Sequence, residues 1–148
     1  MHTNKRGFTL IELLVVIAII GLLATLAVVA LNNARQKSRD AKRVSDIKQI
    51  QTALELYYSD QSGYPSPGTY TLGLGMSCLG TGGFGTASTA TQCGSPYMGL
   101  IPSNPLPNGA SYIYQTGSSN AYTITFTLES GTGGLPAGAR TADQNGMR

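Results

Sequence analysis

Few residues in this sequence have the type and spacing that chemistry requires. His2 is the only histidine among 148 residues and no Cys/His cluster exists, which argues against a zinc or haem site. No G-x-S-x-G nucleophile motif is present. The acidic residues beyond residue 50 are too scattered to suggest a carboxylate pair: Glu55, Asp60, Glu129 and Asp143. We therefore predict no catalytic residue, no metal ligand and no enzymatic activity.

The composition is uneven along the chain. All 19 glycines except Gly7 and Gly21, and all seven prolines, lie at or after Gly63, so this part is expected to fold with many turns and a modest core. Residues 80–85 match the G-x-G-x-x-G pattern of nucleotide sites. They follow no clear strand and begin no helix, so we interpret this match as chance. The length allows one small domain and an anchor helix.

One carboxylate, Glu12, lies in an unexpected place. It is the only charged residue within residues 8–31, which are otherwise almost wholly apolar. As a helix this segment would be about 36 Å long, against a bilayer hydrocarbon core of about 30 Å, so it is long enough to span a membrane. A charge at the centre of a membrane helix costs about 2.5–3.5 kcal/mol, and less near an end. Glu12 is therefore expected to have a partner or a function.

Two simpler interpretations of this segment explain less. A secretory signal peptide would have a shorter apolar run and an A-x-A cleavage pattern, which the small residues here do not form: Ala24, Ala27, Ala30 and Ala34. A plain signal anchor leaves Glu12 unexplained. The segment contains no Lys or Arg to pair with Glu12, but a cut just before Phe8 would create an α-amino cation near it.

The octapeptide Lys5-Arg6-Gly7-Phe8-Thr9-Leu10-Ile11-Glu12 and the apolar helix after it closely resemble the processing site of type IV prepilins and type II secretion pseudopilins. The resemblance implies cleavage after Gly7, N-methylation of Phe8 and a role for Glu12 in subunit assembly. Its implied partners are the prepilin peptidase and methyltransferase, an inner-membrane assembly platform with its ATPase, and other copies in a helical homopolymer. Many pilins have a proline at the position of Val29, so any helix melting should instead centre near Gly21.

The same resemblance implies a location. The chain would be a single-pass inner-membrane protein with its N-terminus in the cytoplasm, and later part of an extracellular filament. The positive-inside rule disagrees, since Lys5 and Arg6 precede the helix and five basic residues follow it by Arg43. We favour the N-in orientation because the peptidase motif needs a cytoplasmic leader. Some pseudopilins also bind calcium in a distal loop, but no ligands here match that site, so calcium stays open and no other cofactor is expected.

A basic segment follows the apolar run, and the net charge of +3 falls to +1 if Lys5 and Arg6 are removed. We interpret the segment as a solvated helix face near anionic headgroups or neighbouring subunits. Contact with nucleic acid is a weaker alternative, because no aromatic side chain is interleaved. The candidate residues for contact with an anionic partner are Arg35, Lys37, Arg39, Lys42 and Arg43.

The helical pattern continues to about Ser59, with an apolar stripe at spacings of three and four. The stripe consists of Val44, Ile47, Ile50, Leu54, Tyr57 and Tyr58. Residues 111–115 and the alternating residues 121–128 predict an antiparallel hairpin that packs on this stripe, and residues 70–74 are a candidate for a further strand. The tail after Gly131 is expected to be an irregular surface arm.

These elements predict an α+β fold in which a long N-terminal helix, transmembrane in its first half, packs on a small antiparallel sheet. The predicted parts are a leader (1–7), a membrane or filament-core half-helix (8–31), an amphipathic half-helix (32–60) and a globular head (61–148). The even cysteine count outside the membrane predicts one disulfide, Cys78–Cys93, with two buried thiols as the alternative.

Our first hypothesis is a structural subunit of a type IV pilus-like extracellular filament. The alternatives are a major-type pseudopilin of a type II secretion system, a competence pilin that binds DNA, and a monomeric membrane-anchored domain.

Overall fold

The computed structural model describes residues 7–65, 67–86, 93–107 and 110–148 of the chain. Within these residues one helix, α1 (Leu10–Gln61), precedes eight strands. The chain divides into two compact units, Met1–Arg35 and Gln36–Arg148, and α1 contributes residues to both. We call them the N-terminal unit and the globular unit.

The described part of the N-terminal unit is essentially the first half of α1. Its large apolar side chains are exposed by between 47% (Val16) and 89% (Phe8). The helix is long and apolar enough to cross a membrane. It is unbroken at Gly21, so the melting expected there stays a prediction about the filament.

The globular unit contains two antiparallel sheets. The larger sheet has the strand order β1-β5-β6-β7-β8 and the smaller one β3-β2-β4. The strands are β1 (Gly68–Leu72), β2 (Cys78–Gly80), β3 (Gly83–Gly85), β4 (Pro96–Met98), β5 (Tyr112–Ser118), β6 (Ala121–Leu128), β7 (Gly138–Asp143) and β8 (Gly146–Met147).

The core lies between the second half of α1 and the larger sheet. Ile47, Ile50, Leu54 and Tyr57 of the predicted stripe belong to one buried cluster with the inward positions of β6, which confirms the predicted packing. Val44 is partly buried against this cluster, whereas Tyr58 is 38% exposed and lies outside it. Ile47, Leu54 and Ile124 are each 0% exposed. The predicted hairpin is present as β5 and β6, with Tyr114 opposite Ile124. The α+β prediction is therefore confirmed.

The prediction for the tail was wrong. Instead of an irregular arm, β7 pairs with β6 and β8 pairs with β7. Ala142 lies opposite Ile124 and is 1% exposed, so a small side chain is enough to fill this part of the core. The backbone hydrogen bonds that β7 makes with β6 and β8 hold this segment even though its own hydrophobicity is low.

The smaller sheet was not predicted. Its strands have three residues each, too few for an alternating pattern to appear. Residues 80–85 comprise the last residue of β2, the turn and β3, so the segment does follow a strand, contrary to expectation. It begins no helix, which supports our interpretation of G-x-G-x-x-G as chance.

An ion cluster joins α1 to the loops at one end of the larger sheet. The Arg43 cluster consists of Arg39, Asp40, Arg43, Asn104 and Glu129. Arg43 is 0% exposed and donates to Asp40 (Nη1 to Oδ1, 2.8 Å), to Glu129 (Nη1 to Oε1, 2.7 Å) and to Asn104 (Nε to Oδ1, 2.7 Å). Arg39 donates Nε to Oε1 of Glu129 at 2.7 Å. Two cations and two anions thus neutralise each other away from water.

Asp40 connects this cluster to backbone N–H groups. Its Oδ1 accepts the backbone N–H of Glu129 at 2.9 Å, and its Oδ2 accepts those of Ser130 at 2.7 Å and Gly131 at 3.0 Å. Arg43 Nη2 also donates to the carbonyl of Pro105 at 2.9 Å. The loops after β4 and after β6 are therefore both bound to the same turn of α1.

The charges of the cluster shift the pKa values of its acids. Hydrogen bonds from Arg39, and then from Arg43, lower the pKa of Glu129 to about 2. Burial alone would raise the pKa of Asp40, but hydrogen bonds from the backbone of Glu129 and Ser130 and from Arg43 lower it overall. Nearby Asp46 differs, because burial raises its pKa and the hydrogen bond from the Tyr112 hydroxyl only partly opposes this.

We predict that Leu54→Ala lowers the free energy of unfolding of the globular unit by about 2–5 kcal/mol, because it leaves a cavity in the core. Leu56→Ala is the matched control, because Leu56 lies two residues away and is 53% exposed. This variant should change the free energy of unfolding by less than about 0.5 kcal/mol. Urea unfolding followed by circular dichroism measures both. Equal losses would contradict the assigned core face of α1.

We predict that Glu129→Gln lowers the free energy of unfolding by about 3–5 kcal/mol at pH 7, because Arg39 and Arg43 lose a buried counter-charge. The folded pKa of Glu129, about 2, lies below its ordinary value of 4.5. Its contribution is therefore complete above pH 4.5 and is lost as the pH falls toward 2. Urea unfolding of Gln36–Arg148 between pH 7 and pH 3 should show a shallower decline for the variant.

Glu55→Gln is the control for this series, since Glu55 is an exposed carboxylate on the same helix. The opposite contribution of Asp46, whose ionised form is disfavoured by burial, is common to both variants and cancels in the comparison. If Glu129→Gln and Glu55→Gln gave the same pH profile, the Arg43 cluster would not have the assigned role.

Candidate functional site

The Gly7–Phe8 bond lies in the short segment before α1. Gly7, Phe8 and Thr9 precede the first helical residue, Leu10, and Phe8 is 89% exposed. A peptidase binds its substrate in an extended form, so a bond outside the helix is accessible to cleavage. Residues 1–6, which include Lys5 and Arg6, lie outside the described residues.

Glu12 has a partner that the sequence analysis missed. Its Oε2 accepts the backbone N–H of Thr9 at 2.8 Å and the Thr9 hydroxyl at 2.7 Å. In return, the backbone N–H of Glu12 donates to the Thr9 hydroxyl at 3.3 Å. This is the capping box of a helix start, in which Thr9 is the N-cap and Glu12 the third helical residue. The T-x-x-E spacing before an apolar run was the available signal.

The capping box orders the carboxylate before any cleavage occurs. Both hydrogen bonds from Thr9 end on Oε2 of Glu12, and among the described residues no hydrogen bond ends on Oε1. A new α-amino group on Phe8 would therefore meet a carboxylate that Thr9 already positions through Oε2, with Oε1 as the oxygen that could accept from the amine. This arrangement suits the ion pair that the sequence suggested.

The five basic candidates separate into two groups. Arg35, Lys37 and Lys42 are exposed and remain available to an anionic partner. Arg39 and Arg43 are bound inside the protein by Glu129, and their side chains are 21% and 0% exposed. This corrects the expectation of one solvated basic face. The reason is the distant acid Glu129, whose position opposite α1 depends on the end of β6.

The predicted disulfide is present between Cys78 and Cys93, whose Cα atoms are 5.9 Å apart. It links β2 to the segment just before β4, across 15 residues of sequence. In the chain-entropy model a loop of this length stabilises the folded state by about 3 kcal/mol. The prediction of one disulfide is therefore confirmed.

No group of three or more His, Cys, Asp or Glu side chains that suits a metal ion occurs within the described part of the chain. The described residues therefore identify no set of calcium ligands, and calcium binding stays open. A cleft of about 520 Å³ lies on the larger sheet between β1 and the β5–β6 hairpin. Its lining is glycine, alanine, threonine, serine and glutamine, with Tyr122 as its one titratable residue.

Comparison with known proteins gives two family matches. Residues 2–28 match the prokaryotic N-terminal methylation motif. Residues 30–144 match the family described as type II secretion system (T2SS), protein G. No solved structure matches the chain.

Individual relatives agree with these matches. The type II secretion system core protein G of Dickeya chrysanthemi is 44% identical over 66 residues, which cover 45% of this chain and 43% of that protein. The core protein G of Vibrio cholerae serotype O1 is 30% identical over 142 residues, covering 96% and 93%. The type IV major fimbrial protein FimA of Dichelobacter nodosus is 38% identical over 96 residues, covering 64% and 60%.

The chain thus spans less than half of the Dickeya protein and nearly all of the Vibrio one. The family model, the exposed apolar helix, the methylation motif and the helix-on-sheet fold all agree. The chain belongs to the type II secretion system protein G family.

Proposed function

We propose that this chain is a structural subunit of a filament that assembles through its N-terminal helix. The observation that supports this proposal is that every large apolar side chain of residues 8–31 is about half exposed or more. Such a surface is unstable in water and is satisfied first by lipid and then by neighbouring helices. Because lipid is already apolar, the preference for the filament rests on helix packing and on Glu12.

Maturation would supply the missing half of an ion pair. Cleavage after Gly7 by a prepilin peptidase creates an α-amino group on Phe8, and methylation leaves it cationic. That cation meets Oε1 of Glu12 in its own chain or in a neighbour, while Thr9 holds Oε2. The membrane platform and its ATPase would then extract the subunit from the bilayer.

We favour a secretion pseudopilin over a surface pilus. The family model for protein G covers residues 30–144, which include the whole globular unit except its last residues. Similarity to the fimbrial protein FimA supports the surface pilus as the second candidate. The DNA-binding alternative loses support, because Arg39 and Arg43 form salt bridges with Glu129 within the protein.

The proposed orientation is N-terminus in the cytoplasm and globular unit outside. Two of the five cations after the membrane segment, Arg39 and Arg43, are neutralised by Asp40 and Glu129 once the unit folds. Arg35, Lys37 and Lys42 remain exposed, and the flanking-charge rule, which counts Lys and Arg during insertion, still opposes this orientation. The Cys78–Cys93 disulfide supports the orientation, because it fits an oxidising compartment.

We predict that Glu12→Val leaves membrane insertion intact and abolishes filament assembly, because the Phe8 amine loses its partner. Membrane fractionation measures insertion, and sheared or cross-linked filament yield measures assembly. Mass spectrometry of the N-terminus should show cleavage after Gly7 and a methyl group on Phe8 in the native chain. Normal filament yield from Glu12→Val would refute the role of Glu12, and an uncut Met1 start would refute the proposed processing.

Deletion of the gene separates the two candidates. If the chain is a pseudopilin, we expect secreted enzymes to accumulate in the periplasm of the mutant, with no loss of long surface filaments under electron microscopy. A surface pilus subunit would give the reverse pattern. Complementation with the native chain is the positive control, and complementation with Glu12→Val should fail in either case.

A further inference from the structure

The globular unit has two different ends along α1. At the end where α1 enters, Asp40 and Arg43 bind the loops that contain Glu129 and Asn104. At the far end, the backbone N–H of Tyr64 donates to the carbonyl of Ser119 in the β5–β6 turn. We call these the entry end and the far end. Only residues 32–35 separate the apolar segment 8–31 from the entry end in the chain.

Two highly exposed leucines lie at the entry end. Leu106 is 80% exposed and follows Asn104 and Pro105, both of which accept hydrogen bonds from Arg43. Leu74 is 76% exposed and lies in the turn after β1. The two leucines line one cleft of about 160 Å³ together with Ser103.

This leucine pair is held in place by backbone contacts. Gly73 has a φ of +81°, and a Cβ there would lie 2.6 Å from the carbonyl oxygen of Pro102, so the turn after β1 approaches the loop after β4 too closely for any other residue. Asn104 Nδ2 also donates to the carbonyl of Ala110 at 2.5 Å. Two loops are thus fixed side by side while their leucines point outward.

The exposed charges described at the entry end have one sign. The acids of this end are buried: Asp40 is 0% and Asp46 5% exposed, and the side chain of Glu129 is 7% exposed. The exposed cations of this end, Lys37 and Lys42, therefore face no exposed acid at the same end among the described residues. An end of the unit that carries both exposed leucines and exposed cations suits an anionic lipid surface.

The far end has the opposite character. Its exposed acids are Glu55 and Asp60, and its surface is formed by serine, glutamine and asparagine side chains in the last turn of α1 and the β5–β6 turn. Along α1 these acids lie about 20–35 Å from Lys37 and Lys42. Two entry ends brought together would oppose like charges, which disfavours a symmetric contact between copies and favours an anionic surface.

We propose that the entry end of the globular unit is a lipid-binding surface. Leu74 and Leu106 enter the interface of an anionic bilayer, and Lys37 and Lys42 bind its phosphate groups. The inference rests on the membrane stage of the proposed function. It adds that the folded unit, and not only residues 8–31, must leave the bilayer when the subunit joins a filament.

The sequence contains no tryptophan, so a single introduced one reports its own surroundings. The test uses the full mature chain at one copy per lipid nanodisc, with brominated lipid as quencher. Leu106→Trp and Leu74→Trp report the entry end, and Leu56→Trp, on the 53% exposed site near the far end, is the matched control. Leu22→Trp reports whether the anchor is inserted.

In discs that contain phosphatidylglycerol we expect Leu106→Trp and Leu74→Trp to be blue-shifted and quenched, while Leu56→Trp is not. Because each surface cation contributes about fivefold to binding of an anionic membrane, Lys37→Gln with Lys42→Gln should remove most of the quenching. The Cys78–Cys93 disulfide and an unchanged circular dichroism spectrum serve as folding controls.

Quenching of Leu22→Trp without quenching of either entry-end reporter would overturn the inference and leave the membrane anchor standing. Absence of quenching at Leu22 as well would overturn both the anchor and the inference. Equal quenching in phosphatidylcholine would refute the role of the cations. A blue shift that requires two copies per disc, and no anionic lipid, would assign the leucines to a contact between copies and also overturn the proposal.

Discussion

The globular unit depends on a neutral set of buried charges around Arg43. A guanidinium with no exposed surface is stable only if acids and carbonyl groups replace its lost water. Here the acids come from the same helix (Asp40) and from the end of β6 (Glu129), and a carbonyl comes from Pro105. The cluster therefore fixes the position of the larger sheet on α1, and with it both loops of the entry end.

The N-terminal unit obeys a different constraint. Its side chains are apolar and exposed, so its stability depends on lipid or on other subunits and not on its own contacts. The only polar arrangement described within the first turn is the Thr9–Glu12 capping box, which satisfies donors at the start of α1. The residue to which we assign a role in assembly thus already has hydrogen-bond partners within its own chain.

The five basic residues between Arg35 and Arg43 fall into two groups with different roles. Arg39 and Arg43 stabilise the fold, whereas Arg35, Lys37 and Lys42 remain exposed. A sequence count treats these five residues as one basic segment, although only three contribute to an exposed positive surface. Any argument from net charge about binding of nucleic acid therefore needs the positions of Asp40 and Glu129 as well.

The sequence by itself determined the features that depend on local order. The apolar run, the Gly7–Phe8 site, the stripe from Ile47 to Leu54 and the alternation in β6 are periodic or contiguous, so spacing alone reveals them. The tertiary structure decided what depends on residues far apart in the chain. Glu129 lies 86 residues from Arg43, and Ala142 fills a space opposite Ile124 although its own segment has a weak pattern. Burial of a charge and pairing of a weakly patterned strand depend on which partner the fold brings near, and that partner cannot be read from either segment alone.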